Sequence, residues 1–443
     1  MRRSLLIGLI SVIGFWAAPM QASGRLIVRV VGGLPIIKAD CLVAGCNVVE
    51  NIDGSPGQLF LVTTPDSEDV NKVLATLLSL TGVVNAELDL IANVADSRTN
   101  IPPALLDNTP TTYYGSTVPD GYIHQPATEL IRLANTQSSY PKISGDGIVA
   151  VIDTGVDPNH PALKSVLLPG YDFTRNQPGG NELLDVSLPG PPIINGAQPN
   201  WVSGSGTGDV SQSTVAVVDQ SSAAAVDGKP QYKDFGHGTM VAGLIHLVAP
   251  TAKILPLKAF RADGTGYTSD ILRAIYGAMA SHANVLNMSF TLASYSTEVA
   301  TALRAGTLTG IISVAAAGNS GERTLVYPAA LSDVLGIASS TNNDQLSSFS
   351  NYGEQLVWIA APGEGVVTTY PFSTYAAAWG TSFSTPLVSG VTALLFNVNN
   401  LCDQYCSANS TSHAQGMDPN AGHGRLDIYQ AVQSWSQATG GGH

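Results

Sequence analysis

Four polar residues stand where the chain leaves an apolar run. Asp153 closes Ile148-Val149-Ala150-Val151-Ile152 and is followed by Thr154-Gly155; His237 lies in Gly236-His237-Gly238-Thr239, ahead of the apolar Met240 to Leu244. Asn319 follows the run Ile311 to Gly318, and Ser382 lies in Gly380-Thr381-Ser382-Phe383-Ser384-Thr385-Pro386, ahead of Leu387 to Phe396. A hydroxyl nucleophile, an imidazole base, a carboxylate to orient it and an amide to meet an oxyanion are the parts of acyl transfer. Each has a plainer reading when taken alone: a capping or turn-forming Asp or Asn, a satisfied structural His, a Ser that caps a helix. Their joint placement at strand ends and helix starts is what points to catalysis.

Those placements demand a particular scaffold. Ile148 to Ile152, Lys253 to Leu257, Val285 to Met288, Ile311 to Ala316, Val334 to Ala338 and Leu356 to Ala360 read as buried strands that alternate with helical stretches. That rhythm predicts an α/β domain with a mostly parallel sheet flanked by helices on both faces. Ligands and catalytic groups collect at the carboxyl ends of such strands. At the start of a helix, Ser382 gains backbone N–H groups without helical partners and the positive end of the dipole, and Pro386 is expected to be tolerated as a first-turn residue.

Val151-Ile152-Asp153-Thr154-Gly155-Val156-Asp157, Gly236-His237-Gly238-Thr239 and Gly380-Thr381-Ser382-x-x-x-Pro386 resemble the three active-site signatures of the subtilisin-like (subtilase) family, in the family's order. Ala317-Gly318-Asn319 resembles its oxyanion signature, and Tyr327-Pro328, Ala361-Pro362-Gly363 and Gly422 to Asp427 fall where the family puts similar segments. The resemblance implies that Ser382 attacks the scissile carbonyl, His237 acts as general base and acid, Asp153 orients the imidazole, and Asn319 with the Ser382 N–H holds the oxyanion. It argues against a sedolisin-type enzyme, in which Glu replaces His as the base.

The same resemblance marks Met288, Ser289, Phe290, Ala316, Ala317, Gly318 and Val326 as substrate-binding, with Asn287-Met288-Ser289 as the segment that pairs with an extended peptide. Phe290-Thr291 stands where Leu-Gly is common and Val326 where Gly is frequent, which implies a primary pocket for small or medium P1 side chains. No cofactor is required for the catalysis. Family members often hold structural calcium, and Asp157, Asp209, Asp219, Asp227 and Asp234 supply carboxylates for it here. The separation of 84 residues between Asp153 and His237 is longer than in compact members, and an insertion at about 161–232 accounts for it.

The remaining features concern processing and compartment. Met1-Arg2-Arg3 followed by the apolar run Leu5 to Ala18 predicts a signal peptide over residues 1–22, and hence export to an extracellular or periplasmic space. Residues 23–92 are expected to form a small α+β domain: strands Arg25 to Val31, Gln58 to Thr63 and Val83 to Leu88, with a helix capped near Asp66-Ser67 and ended by a left-handed Gly82. By resemblance this is the family's propeptide, an intramolecular chaperone and inhibitor. A proline-rich linker over 93–124 would carry the maturation site, leaving the peptidase domain at 125–437.

Four cysteines allow three pairings, of which the local one, Cys41–Cys46 with Cys402–Cys406, is favoured over a zinc site, whose spacings differ. The formal net charge of −13 over 443 residues disfavours nucleic acid and anionic membranes as partners. No stretch after the signal is long and apolar enough to anchor the chain. The expected partners are polypeptide substrates and the chain's own propeptide, bound by a monomer. The alternative from another class is a catalytically silent relative that only binds.

Overall fold

The computed structural model describes residues 24–54, 56–93, 103–186, 215–217, 232, 234–292, 294–411 and 421–438. The chain divides into two units, residues 1–89 and 90–443. The signal segment 1–22 lies outside the described residues.

In the first unit, Leu26, Val28 and Val30 alternate with residues of the opposite face along the strand Arg25–Val30. This period of two buries one side against helices. The strand is central in an antiparallel sheet of order Asn47–Asn51, Leu59–Thr63, Arg25–Val30, Val83–Leu88. Ile37 and Cys41 of helix Leu34–Ala44 and Val73 and Leu77 of helix Val70–Ser79 complete the core. The structure departs from two local expectations. Asp69 caps the second helix, its side chain accepting from the Asn71 N–H, because the chain spends Asp66 to Glu68 in a turn first. The helix ends at an extended Leu80 (φ −84°), so Gly82 is not in the left-handed region. Cys41 is bonded to Cys46 across the helix end.

The second unit is built on the expected parallel sheet. Its order is Gln177–Pro178, Tyr171–Asp172, Lys253–Lys258, Ile148–Asp153, Val285–Met288, Ile312–Ala316, Val334–Ser340, Ile359–Pro362, and every pair is parallel except the first. Burial on both faces explains why these strands read as unbroken apolar runs. Strand Ile148–Asp153 is the switch point: the chain next builds leftward to Lys253–Lys258, then rightward from Val285–Met288. Crevices open at the carboxyl ends of strands where the order reverses, and Asp153 is the last residue of that strand.

Helix Thr381–Val398 is buried from Thr381 to Phe396, and helix His237–Val248 is buried along its whole length. The latter packs closely on the hairpin strand Val366–Tyr370, whose Thr368 and Thr369 hydroxyls donate to the carbonyls of Met240 and Thr239 at 2.7 and 2.8 Å. Gly243 permits the approach, since a Cβ there would lie 2.2 Å from Thr369 Oγ1.

Two segments are more integrated than their composition suggests. Pro110–Tyr113 and Ser116–Pro119, within the expected linker, form a hairpin. Buried Tyr113 and Tyr122 donate to the carbonyls of Leu247 and Gly243 at 2.6 and 2.7 Å. The tyrosines anchor a stretch whose prolines and small polar residues read as solvent-exposed. Likewise the first part of the expected insertion, 161–186, adds strand Tyr171–Asp172 to the main sheet, too short a strand to leave a periodic signal. Of the later part, Val215–Val217 pairs with Thr374–Ala378. Cys402 and Cys406 are bonded, as the local pairing expects. No helix among the described residues is long and apolar enough to cross a membrane.

Candidate active site

Asp153 reaches its position because the strand Ile148–Asp153 ends there and the chain must turn at once. Gly155, at φ +99°, makes that turn, and a Cβ on it would come within 2.7 Å of the Gly180 carbonyl oxygen. Asp153 Oδ1 accepts from the Thr154 N–H at 2.7 Å and from His237 Nδ1, also at 2.7 Å. His237 is the first residue of helix His237–Val248, preceded by Gly236 in a left-handed conformation. An acceptor at Nδ1 places the ring proton there, so Nε2 carries the lone pair of a base.

Ser382 is the second residue of helix Thr381–Val398. The Phe383 ring lies 5.4 Å from the imidazole of His237, centroid to centroid, which brings the serine's helix start beside that imidazole. The Ser382 hydroxyl donates to the Ser289 carbonyl at 3.1 Å, and both His237 and Ser382 are fully buried. Pro386 is not a first-turn residue as the sequence suggests but the sixth of the helix. Its missing N–H would have bonded the Ser382 carbonyl, and the Ser289 hydroxyl donates to that carbonyl instead, at 2.8 Å.

Asn319 follows strand Ile312–Ala316, and its Oδ1 accepts from both the N–H and the hydroxyl of Thr381, each at 2.9 Å. Those two bonds fix the amide plane and direct its Nδ2 edge away from Thr381. Thr381 Oγ1 also accepts from the Gly318 N–H at 3.1 Å. One threonine thereby ties the Asn319 loop to the helix that carries Ser382.

Residues 145–415 match the profile of the Subtilase family. The chain belongs to the subtilase family of serine proteases. It is 31% identical over 297 residues to thermitase of Thermoactinomyces vulgaris, covering 64% of this chain and 88% of that one. To subtilisin BL of Lederbergia lenta it is 39% identical over 184 residues, 39% of this chain and 68% of the relative. The crystal structure of fervidolysin from Fervidobacterium pennivorans, a keratinolytic enzyme related to subtilisin, superposes with a TM-score of 0.69 at 20% identity, over 93% of this chain and 61% of that one. This subtilase spans 65% of the thermophilic serine proteinase of Bacillus sp. (strain AK1), at 31% identity.

Other residues of this subtilase marked by sequence fall around the same sheet edge. Met288 ends its strand, and Ser289 and Phe290 follow it, the Phe290 ring lying 4.9 Å from that of Phe260. Ala316 ends the next strand and leads through Ala317 to Gly318. Val326 is half-buried beside the bridge in which Leu292 and Tyr327 exchange backbone hydrogen bonds of 2.6 and 2.9 Å.

Of the carboxylates proposed for calcium, Asp157 has both oxygens engaged by the N–H groups of Asn159 and Phe372, and Asp209, Asp219 and Asp227 lie outside the described residues. Among the described residues no three His, Cys, Asp or Glu gather as a metal site. The acidic Asp172 and Asp185 are instead joined by Arg175, and Asp185 also accepts from the buried Lys258 at 2.7 Å. Lys258 donates as well to the carbonyls of Thr154 and Phe260, at 2.8 and 2.6 Å, and it pairs in register with Asp153. Sequence reasoning passed over Lys258 because a lysine ending a strand resembles any solvated strand end.

Proposed function

We propose that the chain is an exported serine endopeptidase, made as a zymogen, in which Asp153, His237 and Ser382 are the catalytic triad. The observation that carries the reading is the 2.7 Å contact of Asp153 Oδ1 with His237 Nδ1 at the switch point of the sheet, beside the helix start that bears Ser382. Ser382 Oγ turns from the Ser289 carbonyl to attack a peptide carbonyl, and His237 Nε2 takes its proton. Asn319 Nδ2 and the Ser382 N–H donate to the oxyanion. The imidazolium, stabilised by Asp153, returns the proton to the leaving amine; water then hydrolyses the acyl-enzyme.

Self-processing is supported within the second unit. Strand Ile91–Asn93 pairs antiparallel with Thr265–Tyr267, and the Thr268 N–H donates to the Leu90 carbonyl at 2.9 Å. Main-chain addition to a strand is how an extended substrate binds. A segment so held continues toward a cut soon after residue 93, at the near edge of the expected linker. The residues before it act as propeptide and inhibitor. Export agrees with the two disulfides, which persist in oxidising compartments. Val326 and Thr291 narrow the primary pocket, favouring small or medium P1 side chains.

The test is mass spectrometry of secreted wild type and Ser382→Ala, with a fluorogenic casein assay of both. Wild type should lose its N-terminal unit and digest casein, while the variant keeps that unit and is inert. If both stay full length and inert across pH and added calcium, the protein is a binding relative and this reading fails.

A further inference from the structure

Glu182 takes no part in the chemistry above, yet it is fully buried at the end of the segment that follows the short strands Tyr171–Asp172 and Gln177–Pro178. Its carboxyl is met from both sides of the active site. Oε2 accepts from the Gly236 N–H at 2.8 Å, one residue before His237, and from the Thr154 hydroxyl at 3.2 Å, one residue after Asp153. Oε1 is hydrogen bonded to the Thr239 hydroxyl, two residues after His237. The two hydroxyls extend the connection: Thr154 Oγ1 accepts from the Gly238 N–H at 3.0 Å, and Thr239 Oγ1 from the Asp157 N–H at 2.8 Å. The Gly236 amide directly, and the Gly238 amide through the Thr154 hydroxyl, therefore connect both sides of the base and the residue beyond its orienting acid to one side chain.

We propose that Glu182 is a positioning residue of the active site, fixing the strand end that bears Asp153 against the helix start that bears His237. The inference rests on the reading of Asp153, His237 and Ser382 as the catalytic set. Its physical basis is the geometry of the two loops. Both segments turn on a glycine in the left-handed region, Gly236 at φ +90° and Gly155 at φ +99°, so the strand end and the helix start are set by tight turns. A displacement of about 1 Å in catalytic groups costs on the order of 10²-fold in rate. A carboxyl buried without partners would be strongly unfavourable, so its three bonds are mutually required.

The protonation state supports the same role. Burial, and secondarily the negative charge of Asp153, push the Glu182 carboxyl up to about 8, against the lowering influence of its hydrogen bonds from Thr239 and Gly236 and of Lys258, which also holds Asp185. At neutral pH the group is an acid, able to accept on one oxygen and donate from the other. An amide of the same shape can do likewise, whereas a methyl group can do neither.

The experiment compares kcat and KM of wild type, Glu182→Ala and Glu182→Gln on one peptide substrate, after active-site titration and circular dichroism establish folded enzyme. Glu182→Ala should lose about 10²-fold in kcat with KM changed by less than about threefold, and Glu182→Gln should stay within about fivefold of wild type in both. If Glu182→Ala does not accumulate folded, Glu182→Asp takes its place, because a side chain shorter by one methylene cannot span both loops, and the same thresholds apply. A shortened variant with near-wild-type kcat, a loss confined to KM, or a Gln variant that falls as far as the shortened one overturns the proposal. An inert wild type would instead overturn the catalytic reading beneath it.

Discussion

Ser289 and Ser382 are joined twice, the Ser289 hydroxyl donating to the Ser382 carbonyl at 2.8 Å and the Ser382 hydroxyl to the Ser289 carbonyl at 3.1 Å. The first bond replaces the amide that Pro386 cannot supply, and Asn287 Nδ2 orients it by donating to Ser289 Oγ at 3.0 Å. Ser289→Ala should therefore remove this hydrogen bond to the buried Ser382 carbonyl, a cost of about 1–3 kcal/mol. Denaturant unfolding, in a Ser382→Ala background to prevent autolysis, checks this. An unchanged midpoint would mean that the Ser382 carbonyl does not depend on Ser289.

Asn319→Leu removes both the amide donor and the two bonds from Thr381 to Oδ1. The tetrahedral oxyanion develops only in the transition state, so kcat should fall about 10²–10³-fold while KM changes little. Steady-state kinetics on a soluble peptide tests it, and an unchanged kcat would take Asn319 out of the oxyanion site.

The candidate site residues stand out in the sequence because each closes or opens a regular element. A buried β-branched run such as Ile148 to Ile152 announces its own end, and glycines on each side of His237 announce a turn. What sets those ends against one another is much harder to read. Glu182 lies among Gly179, Gly180 and Asn181 in a stretch without periodicity, and only the fold brings it under Gly236 and Thr154. Helix Leu34–Ala44 escapes notice for a different reason. Leu34, Ile36, Leu42 and Val43 are exposed while Ile37 and Cys41 are buried, so no apolar stripe stands out. Tyr113 and Tyr122 are hidden by the prolines around them.

Val326 stands half-buried beside the Leu292–Tyr327 bridge, and under the proposed function its branched side chain would reduce the room left for a P1 group. Wild type should cleave after Ala, Val or Leu faster than after Phe or Tyr, and Val326→Gly should raise kcat/KM for Phe relative to Ala by roughly tenfold, of the size expected for freeing space for a few methylenes. Profiling both proteins on a P1 peptide library decides it. A wild type that favours Phe or Tyr contradicts the assignment.

His246 gives the fold an acid limit. It lies on the helix that begins with His237, is 2% exposed, and neither ring nitrogen has a hydrogen-bond partner among the described residues. Its ring meets that of Tyr113 edge-on at 6.0 Å. Burial first, and repulsion from His160 second, lower its pKa from 6.5 to about 4. The folded chain thus refuses a proton that the unfolded chain accepts between those values. Stability contributed by the neutral ring is complete above pH 6.5, falls as pH drops through that window, and levels off below about 4, a total of about 3 kcal/mol. Unfolding of the Ser382→Ala protein at pH 7 and pH 4.5 should show this loss, and His246→Leu should recover about 2–3 kcal/mol of it at the lower pH. His160, whose pKa burial also lowers, keeps part of the slope in that variant. Equal acid sensitivity with and without His246 would assign the limit to other groups.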